Sequence, residues 1–426
     1  MVKLGSYSRS VSIIGVGCTP FMYTLDTPET DGLTEGELFG YAALDAMQDA
    51  GVEAKDIDFY FHGQASPKMG SDYLTPNMQV ADWFGMRGKG SIHHSEACCT
   101  GYLALDQAVN AVASGKFDIV LSGCVEMADS LPVPGMPAHF RKKFSMEEFL
   151  ATTVWIYDRA YTRPFLSGPV IVFDDAAALY AKENKLSESQ IDDVLNAMSI
   201  NNRRNAAKAP LALCRKEYKD LAAEAGFGDV MDYMRSPHNP KMGEYLRVSG
   251  MELKCDGAAA VIVCPTEMAS RFKQKPVKVL GIGNAAFEGS QVHLETRGTQ
   301  EAVRQVYELT KVRPEEIDLF YANDFIITSH LIAAEIAGYL PKGEGWKYIL
   351  EGRTAYDGDK PINTNGGRTS FGHAHAASGL ADLYEAVKQM RGQCGERQVK
   401  RLPRTTMLRG FGGGQNLSAT ILRTAD

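Results

Sequence analysis

The sequence lacks the features that would place it in several large classes of protein. No block of lysine and arginine forms a nucleic-acid footprint. The net charge is −7, from 45 basic and 52 acidic side chains, so a polyanion would have to be met by a local patch. The longest apolar runs, such as Ala258 to Cys264, fall far short of the ~18–20 residues that span a bilayer. The N-terminal stretch shows no extended apolar region with a small-residue cleavage site, so no secretory leader is expected. The eight cysteines include no CxxC pair, which argues against a disulfide framework and for reduced thiols. These absences predict a cytoplasmic protein with neither nucleic acid nor membrane as partner. No His/Cys/Asp/Glu set has the spacing of a metal site. Gly15-x-Gly17 runs into Cys18-Thr19-Pro20 and lacks the third glycine of a dinucleotide turn. Gly412-Gly413-Gly414 lacks the Lys-Ser/Thr of a phosphate loop and precedes a strand, Leu417 to Leu422.

What is present is a soluble globular composition, 44% hydrophobic and 23% charged over 426 residues, long enough for two or three domains. One plan runs twice. Ser12-Ile13-Ile14-Gly15-Val16-Gly17 reads as a buried strand ending in glycines, and Lys278-Val279-Leu280-Gly281-Ile282-Gly283 repeats it. An amphipathic helix, Leu38 to Ala50, precedes Val52, Ile57 and Asp58; a second ends near Leu309, before Val312, Ile317 and Asp318. Thr100-Gly101 opens a helix carrying Leu105, Ala108 and Val109, and Ser378-Gly379 opens one carrying Leu383, Ala386 and Val387. Strands alternating with helices predict α/β layers. The two halves are 1–270 and 271–426, with an insertion at 131–244 in the first. That insertion begins rich in aromatics: Phe140, Phe144, Phe149, Trp155, Tyr157, Tyr161, Phe165 and Phe173. Such a density lines either a satellite core or an apolar ligand cavity.

The third repeat pair carries the reactive residues. Ser95-Glu96-Ala97-Cys98-Cys99-Thr100-Gly101 sits at a strand-to-helix turn, where backbone N–H groups and the helix dipole are expected to lower a thiol pKa. The matching turn is Gly366 to Gly379, with His373 and His375. Halves packed about a pseudo-twofold axis would bring Cys98 and His373 face to face, as an activated nucleophile requires. The basic stretch Arg203, Arg204 and Lys208, near Arg215-Lys216, either binds the phosphates of a ligand or forms a solvated helix face.

These motifs resemble the thiolase family along nearly the whole chain. Cys98-Cys99-Thr100-Gly101 is similar to the nucleophile motif. Gly372-His373-Ala374-His375-Ala376-Ala377-Ser378-Gly379 is similar to GHPxGASG, with alanines for the proline and the second glycine. Asn323-Asp324-Phe325 falls on the Asn-Glu-Ala-Phe or His-Asp-Cys-Phe segment, and Gly410-Phe411-Gly412-Gly413-Gly414 on Cys-x-Gly-Gly-Gly. The resemblance, strongest to sterol-carrier-protein-linked and archaeal members, implies a five-layer α-β-α-β-α fold with an inserted loop domain. It implies thiolytic cleavage of a 3-ketoacyl-CoA with coenzyme A as co-substrate. Cys98 would be acylated and His373 would be its base. The N–H groups of Cys98 and Gly412 would form an oxyanion hole, and Asn323 would help stabilise the enolate.

Gly410 replaces the family's second cysteine, the usual acid/base. His375, His94, Glu96 and Cys99 are candidates to stand in, His375 first among them. The aromatic insertion suits a bulky aryl acyl group, as in benzoylsuccinyl-CoA cleaved to benzoyl-CoA and succinyl-CoA. The resemblance also implies a homodimeric core with a small zinc-ribbon/OB-fold subunit that would carry the zinc. A retro-aldolase acting on a 3-hydroxyacyl-CoA, and a non-catalytic acyl-CoA scaffold, are the alternatives.

Overall fold

The structure is a computed structural model that describes residues 7–65, 76–133, 135–137, 139–143, 169–286, 294–413 and 416–425. Its strands are β1 (Val11–Cys18), β2 (Phe59–Gly63), β3 (Gly90–His94), β4 (Val120–Met127), β5 (Ser130–Pro132), β6 (Arg141–Lys143), β7 (Asp256–Pro265), β8 (Val277–Ala286), β9 (Leu319–Ala322), β10 (Thr405–Gly412) and β11 (Asn416–Thr424). Nine of them form a ladder in the order β3-β2-β4-β7-β1-β8-β11-β10-β9, and β5-β6 is a separate hairpin. The β1–β8 junction pairs only Val11, Ser12 and Ile13 with Val279, Lys278 and Val277. On either side of this narrow seam the pattern is the same. β1-β7-β4 and β8-β11-β10 are antiparallel, and β2 and β9 each add in parallel, to β4 and β10.

Helices α1 (Glu35–Ala50), α2 (Thr100–Ala113), α3 (Glu188–Lys208), α4 (Leu294–Thr310) and α5 (His375–Met390) cover the sheets or the site. The side-chain period of two sorts each strand between layers. On β7, Ala258, Ala260 and Ile262 join a core with Leu38, Phe39 and Ala42 of α1. Ala259, Val261 and Val263 face the other way, onto Leu105, Ala108 and Val109 of α2 and Leu380, Leu383 and Ala386 of α5. On β10, Leu408 joins that central core, whereas Met407 and Phe411 join a third with Ala302, Val303 and Val306 of α4. Three cores separated by two sheets make five layers, α1, sheet, α2 with α5, sheet, α4. Lying between the sheets, α5 is buried along nearly its whole length, and its polar residues Ser378, Asp382, Glu385 and Gln389 are buried with it.

The repeated residues do the same job in each half. A Cβ on Gly17 would stand 2.2 Å from the Ala42 carbonyl oxygen, and one on Gly283 2.3 Å from that of Ala302. Both glycines let a helix press onto a strand. Asp58 accepts from the backbone amides of Asp118 and Ile119 where β4 begins, and Asp318 from those of Arg404 and Thr405 where β10 begins. Ile57 and Ile317 are both buried.

One expectation is corrected. α5 does not open at Ser378-Gly379 but at His375, with Ala374 as its N-cap. The turn through Gly372, at φ 115°, delivers the chain in helical register three residues early. The shift improves the match, since Cys98 and His373 each lie two residues ahead of their helix. Of the insertion aromatics, Phe144, Phe149, Trp155, Tyr157, Tyr161 and Phe165 lie outside the described residues. Phe140 is exposed, and Phe173 is a core residue against Phe325 at 4.8 Å.

Gly17→Ala and Gly283→Ala should each destabilise the fold by about 1–3 kcal/mol through overpacking, read as a lower urea midpoint. Gly228→Ala, with nothing near its Cβ and an ordinary φ, controls for the loss of glycine's conformational freedom alone. Unchanged midpoints for both sheet glycines would contradict the close-approach account.

Candidate active site

The thiol stands on a strained turn. Ala97 holds φ at 48°, a left-handed conformation that a residue with a Cβ enters at some cost. Thr100 secures it: its Oγ1 accepts from the Glu96 amide at 2.8 Å and donates to the Ala97 carbonyl at 2.6 Å. Cys98 is thereby projected just before α2 while Cys99 is buried as the N-cap. The end of β10 passes beside this turn. A Cβ on Gly412 would lie 2.8 Å from the Glu96 carbonyl oxygen and 3.0 Å from Cys99 Cβ, so glycine is needed there. The next amide, of Gly413, donates to the Cys98 sulfur.

The imidazole arrives from the other half. Gly366, Gly367 and Gly372 all take positive φ, and a Cβ on Gly372 would sit 2.6 Å from Cys255 Sγ. His373 is pinned by its own backbone, donating to Leu253 at 2.7 Å and accepting from Cys255 at 3.3 Å. Its Nδ1 is 3.0 Å from Ser378 Oγ and its Nε2 is 3.2 Å from Cys98 Sγ. The tautomer that donates Nδ1–H to Ser378 leaves Nε2 as the base facing the thiol.

A buried network fixes the approach. Asp382 on α5 takes both guanidinium arms of Arg368 at 2.9 and 2.8 Å, the Tyr102 hydroxyl of α2 at 2.7 Å and the Asn365 amide at 3.0 Å. Asp324 accepts from the Arg368 backbone amide at 2.8 Å and from Asn202 of α3 at 2.6 Å. α3 thus braces the histidine loop.

The thiol is not poised as the dipole argument expects. Burial pushes the Cys98 thiol up to about 12, with Glu252 adding to the rise and Arg368 and the Gly413 amide opposing it. Desolvation outweighs the helix terminus here. Burial holds His373 well below the ordinary imidazole range, helped by His375, Arg368 and Lys254. The resting couple is therefore neutral thiol and neutral imidazole, and the proton must move as the thiol attacks.

The remaining expected residues divide. Gly412 packs against the Cys98 turn, and Asn323 is tied to the neighbouring Phe411. Asn323 is fully buried, donates to the Phe411 carbonyl at 3.0 Å, and leaves its Oδ1 without a partner among the described residues. His375 lies with its ring 5.0 Å from that of His373, and burial lowers it to about 3. Arg203, Arg204 and Lys208 are engaged away from the couple. Arg203 contacts Cys214 and stacks on Tyr218, Arg204 pairs with Asp357 at 2.8 Å, and Lys208 is 3.9 Å from Glu396. Sequence reading missed Glu252, whose Oε2 is 3.3 Å from His373 Nε2, and the Arg368–Asp382 pair. Neither has a spacing signal; both depend on long-range pairing.

Comparison with known proteins agrees with this arrangement. Residues 286–424 match the family model described as thiolase C-terminal domain-like, and residues 32–134 the one for the β-ketoacyl synthase N-terminal domain. Over its C-terminal third the chain matches the thiolase family, and relatives align with it along nearly its whole length. A protein named acetyl-CoA acetyltransferase from Methanothermobacter thermautotrophicus is 29% identical over 92% of this chain and 94% of its own. The benzoylsuccinyl-CoA thiolase subunit BbsB of Thauera aromatica is 26% identical over 95% of each chain. The 17-hydroxy-3-oxo-4-pregnene-20-carboxyl-CoA lyase of Mycobacterium tuberculosis is 26% identical over 90% of this chain and 92% of its own. A solved structure titled Ltp2-ChsH2(DUF35) aldolase superposes with a TM-score of 0.74 at 20% identity, covering 97% of this chain and 98% of that one. Among the described residues, no cluster is arranged to hold a metal and no helix is long and apolar enough to cross a membrane.

Because the thiol is pushed up rather than down, Cys98 alkylation by iodoacetamide should climb roughly tenfold per pH unit from 7 to 10. Peptide mass spectrometry resolves Cys98 from the other cysteines. A plateau below pH 9 would contradict the burial account.

Proposed function

We propose that this protein cleaves a 3-ketoacyl-CoA by thiolysis through an acyl-Cys98 intermediate. The observation that carries the reading is the 3.2 Å contact between Cys98 Sγ and His373 Nε2, a nucleophile and base within hydrogen-bond reach. His373 takes the thiol proton as sulfur attacks the keto carbon. The C2–C3 bond then breaks, leaving an acyl-cysteine and the enolate of the shortened acyl-CoA. Coenzyme A next attacks the acyl-cysteine, and Cys98 leaves as a thiol. Backbone amides of Cys98 and Gly412 serve as the oxyanion hole, a kind of donor that contributes on the order of 10²–10³ in rate. Asn323 assists His373 in holding the enolate.

The finer assignments are part of the same proposal. A bulky aryl acyl group, as in benzoylsuccinyl-CoA, is supported by similarity to the Thauera subunit along the length of both chains. A small zinc-ribbon/OB-fold subunit on a homodimeric core is supported by that relative being a subunit and by the DUF35 protein named with the aldolase. Lys208, loosely paired with an exposed Glu396, is the better of the three basic residues for a coenzyme A phosphate. Division into halves at 1–270 and 271–426 is supported by the narrow pairing of β1 with β8.

Retro-aldol cleavage of a 3-hydroxyacyl-CoA is the second reading, favoured by the similarity to the mycobacterial lyase and by the glycine at position 410. It requires no covalent thiol. Incubation with 3-ketoacyl-CoA esters should consume free coenzyme A one for one and leave an acyl adduct on Cys98 by mass spectrometry. Cys98→Ala should lower turnover by at least about 10³-fold. Cleavage without coenzyme A consumption, or full activity in Cys98→Ala, would reject thiolysis.

A further inference from the structure

The reaction needs an acid to deliver a proton to the enolate carbon, and the position of the family's second thiol is closed. A Cβ on Gly410 would lie 2.5 Å from Cδ2 and 3.0 Å from Cγ of the Tyr102 ring. That ring is held by Asp382 through its hydroxyl and cannot swing aside without breaking the network. The tyrosine therefore fills the space a cysteine side chain would need.

Beside the couple stands a carboxyl group that the thiolysis scheme leaves unused. Glu252 enters on the segment before β7, its backbone amide donating to the Phe325 carbonyl at 2.8 Å. Its Oε2 lies 3.3 Å from the same His373 Nε2 that faces Cys98. Orienting the histidine is already the task of Ser378 on Nδ1, so Glu252 is not the third member of a triad. It shares the reactive nitrogen with the thiol, and 19% of its side-chain surface is open while His373 is fully enclosed.

Resting on the thiolysis reading, we propose that Glu252 replaces the missing second cysteine as the acid/base at the substrate's C2 carbon. The protonated carboxyl donates its proton to the enolate carbon as the C2–C3 electron pair is released. The resulting carboxylate takes back a proton from the protonated His373 imidazole 3.3 Å away, which restores both groups. His373 then takes the thiol proton of incoming coenzyme A and passes it to departing Cys98, so every proton is accounted for. Burial raises the Glu252 carboxyl to about 7, against the opposing pull of Lys254 and Arg368, so both forms are present near neutrality. His375 meets this requirement poorly. Burial lowers it to about 3, which leaves it no proton to give at neutral pH.

The two half-reactions separate the roles, with acetyl-CoA as probe. Exchange of isotopically labelled coenzyme A into acetyl-CoA reports acyl-Cys98 formation. Deuterium uptake at the acetyl methyl in D2O reports proton transfer at C2. Glu252→Gln should keep label exchange within about threefold and lose deuterium uptake by about 100-fold or more, and Glu252→Asp should retain a measurable part of the uptake. Deuterium uptake within threefold of wild type in Glu252→Gln overturns the assignment. So does loss of both reactions in a variant with an unchanged unfolding midpoint, since Glu252 would then only be supporting His373. Should Glu252→Gln not fold, the same ratio in Glu252→Asp decides: uptake must fall far more than exchange. Wild-type protein that never acylates Cys98 removes the thiolysis reading itself, and this inference with it.

Discussion

Two helices from distant parts of the chain must meet closely enough for a sulfur to touch an imidazole, and the carboxylate of Asp382 governs that meeting. It lies on α5, two turns beyond His373, and takes the hydroxyl of Tyr102, which lies on α2 just beyond Cys98. The same carboxylate neutralises Arg368, whose backbone is in turn held by Asp324. Taking two charges out of water is costly unless every remaining polar group finds a partner. Here Tyr102 comes from one half and Arg368 and Asn365 from the other, so the Asp382 carboxylate is fully partnered only when the halves are docked correctly. Positional accuracy at the reactive pair is thus tied to the cohesion of the central layer.

Electrostatics complete the picture. A cysteine at a helix start is often read as a ready thiolate, but the enclosure that α2 and α5 need for packing also strips water from Cys98. Desolvation pushes the thiol and the imidazole in opposite senses, each toward its uncharged form. The couple therefore rests without charge separation. Sulfur nucleophilicity is released only when an electrophile is close enough for the proton transfer to be coupled to bond formation.

Much of this was legible before any coordinates. The doubled plan could be read because Gly17 and Gly283, and Asp58 and Asp318, answer the same local need in each half, and such needs leave a sequence trace. The Cys98 and His373 turns were legible for a related reason: flanking glycines and threonines mark tight entries into helices. What could not be read was anything set by the register between distant strands. Glu252 is an unremarkable acid three residues before Cys255, and its significance comes only from the loop that lays Leu253 and Cys255 alongside His373. The helix start at His375 is not legible because it depends on the turn through Gly372, and the Ser378 hydroxyl serves the imidazole. The basic stretch shows another limit of sequence, since charge alone does not reveal that Arg204 pairs with Asp357 while Lys208 is held only loosely by Glu396.

The aromatic ring over Gly410 has a historical consequence. Reacquiring a thiol at that strand position would first demand a smaller side chain at 102, and that change would sever the phenol–carboxylate tie between the central helices. Each single step passes through a disabled protein. A lineage that has taken this route is held there by its own packing, and its chemistry must diversify from the other wall of the site.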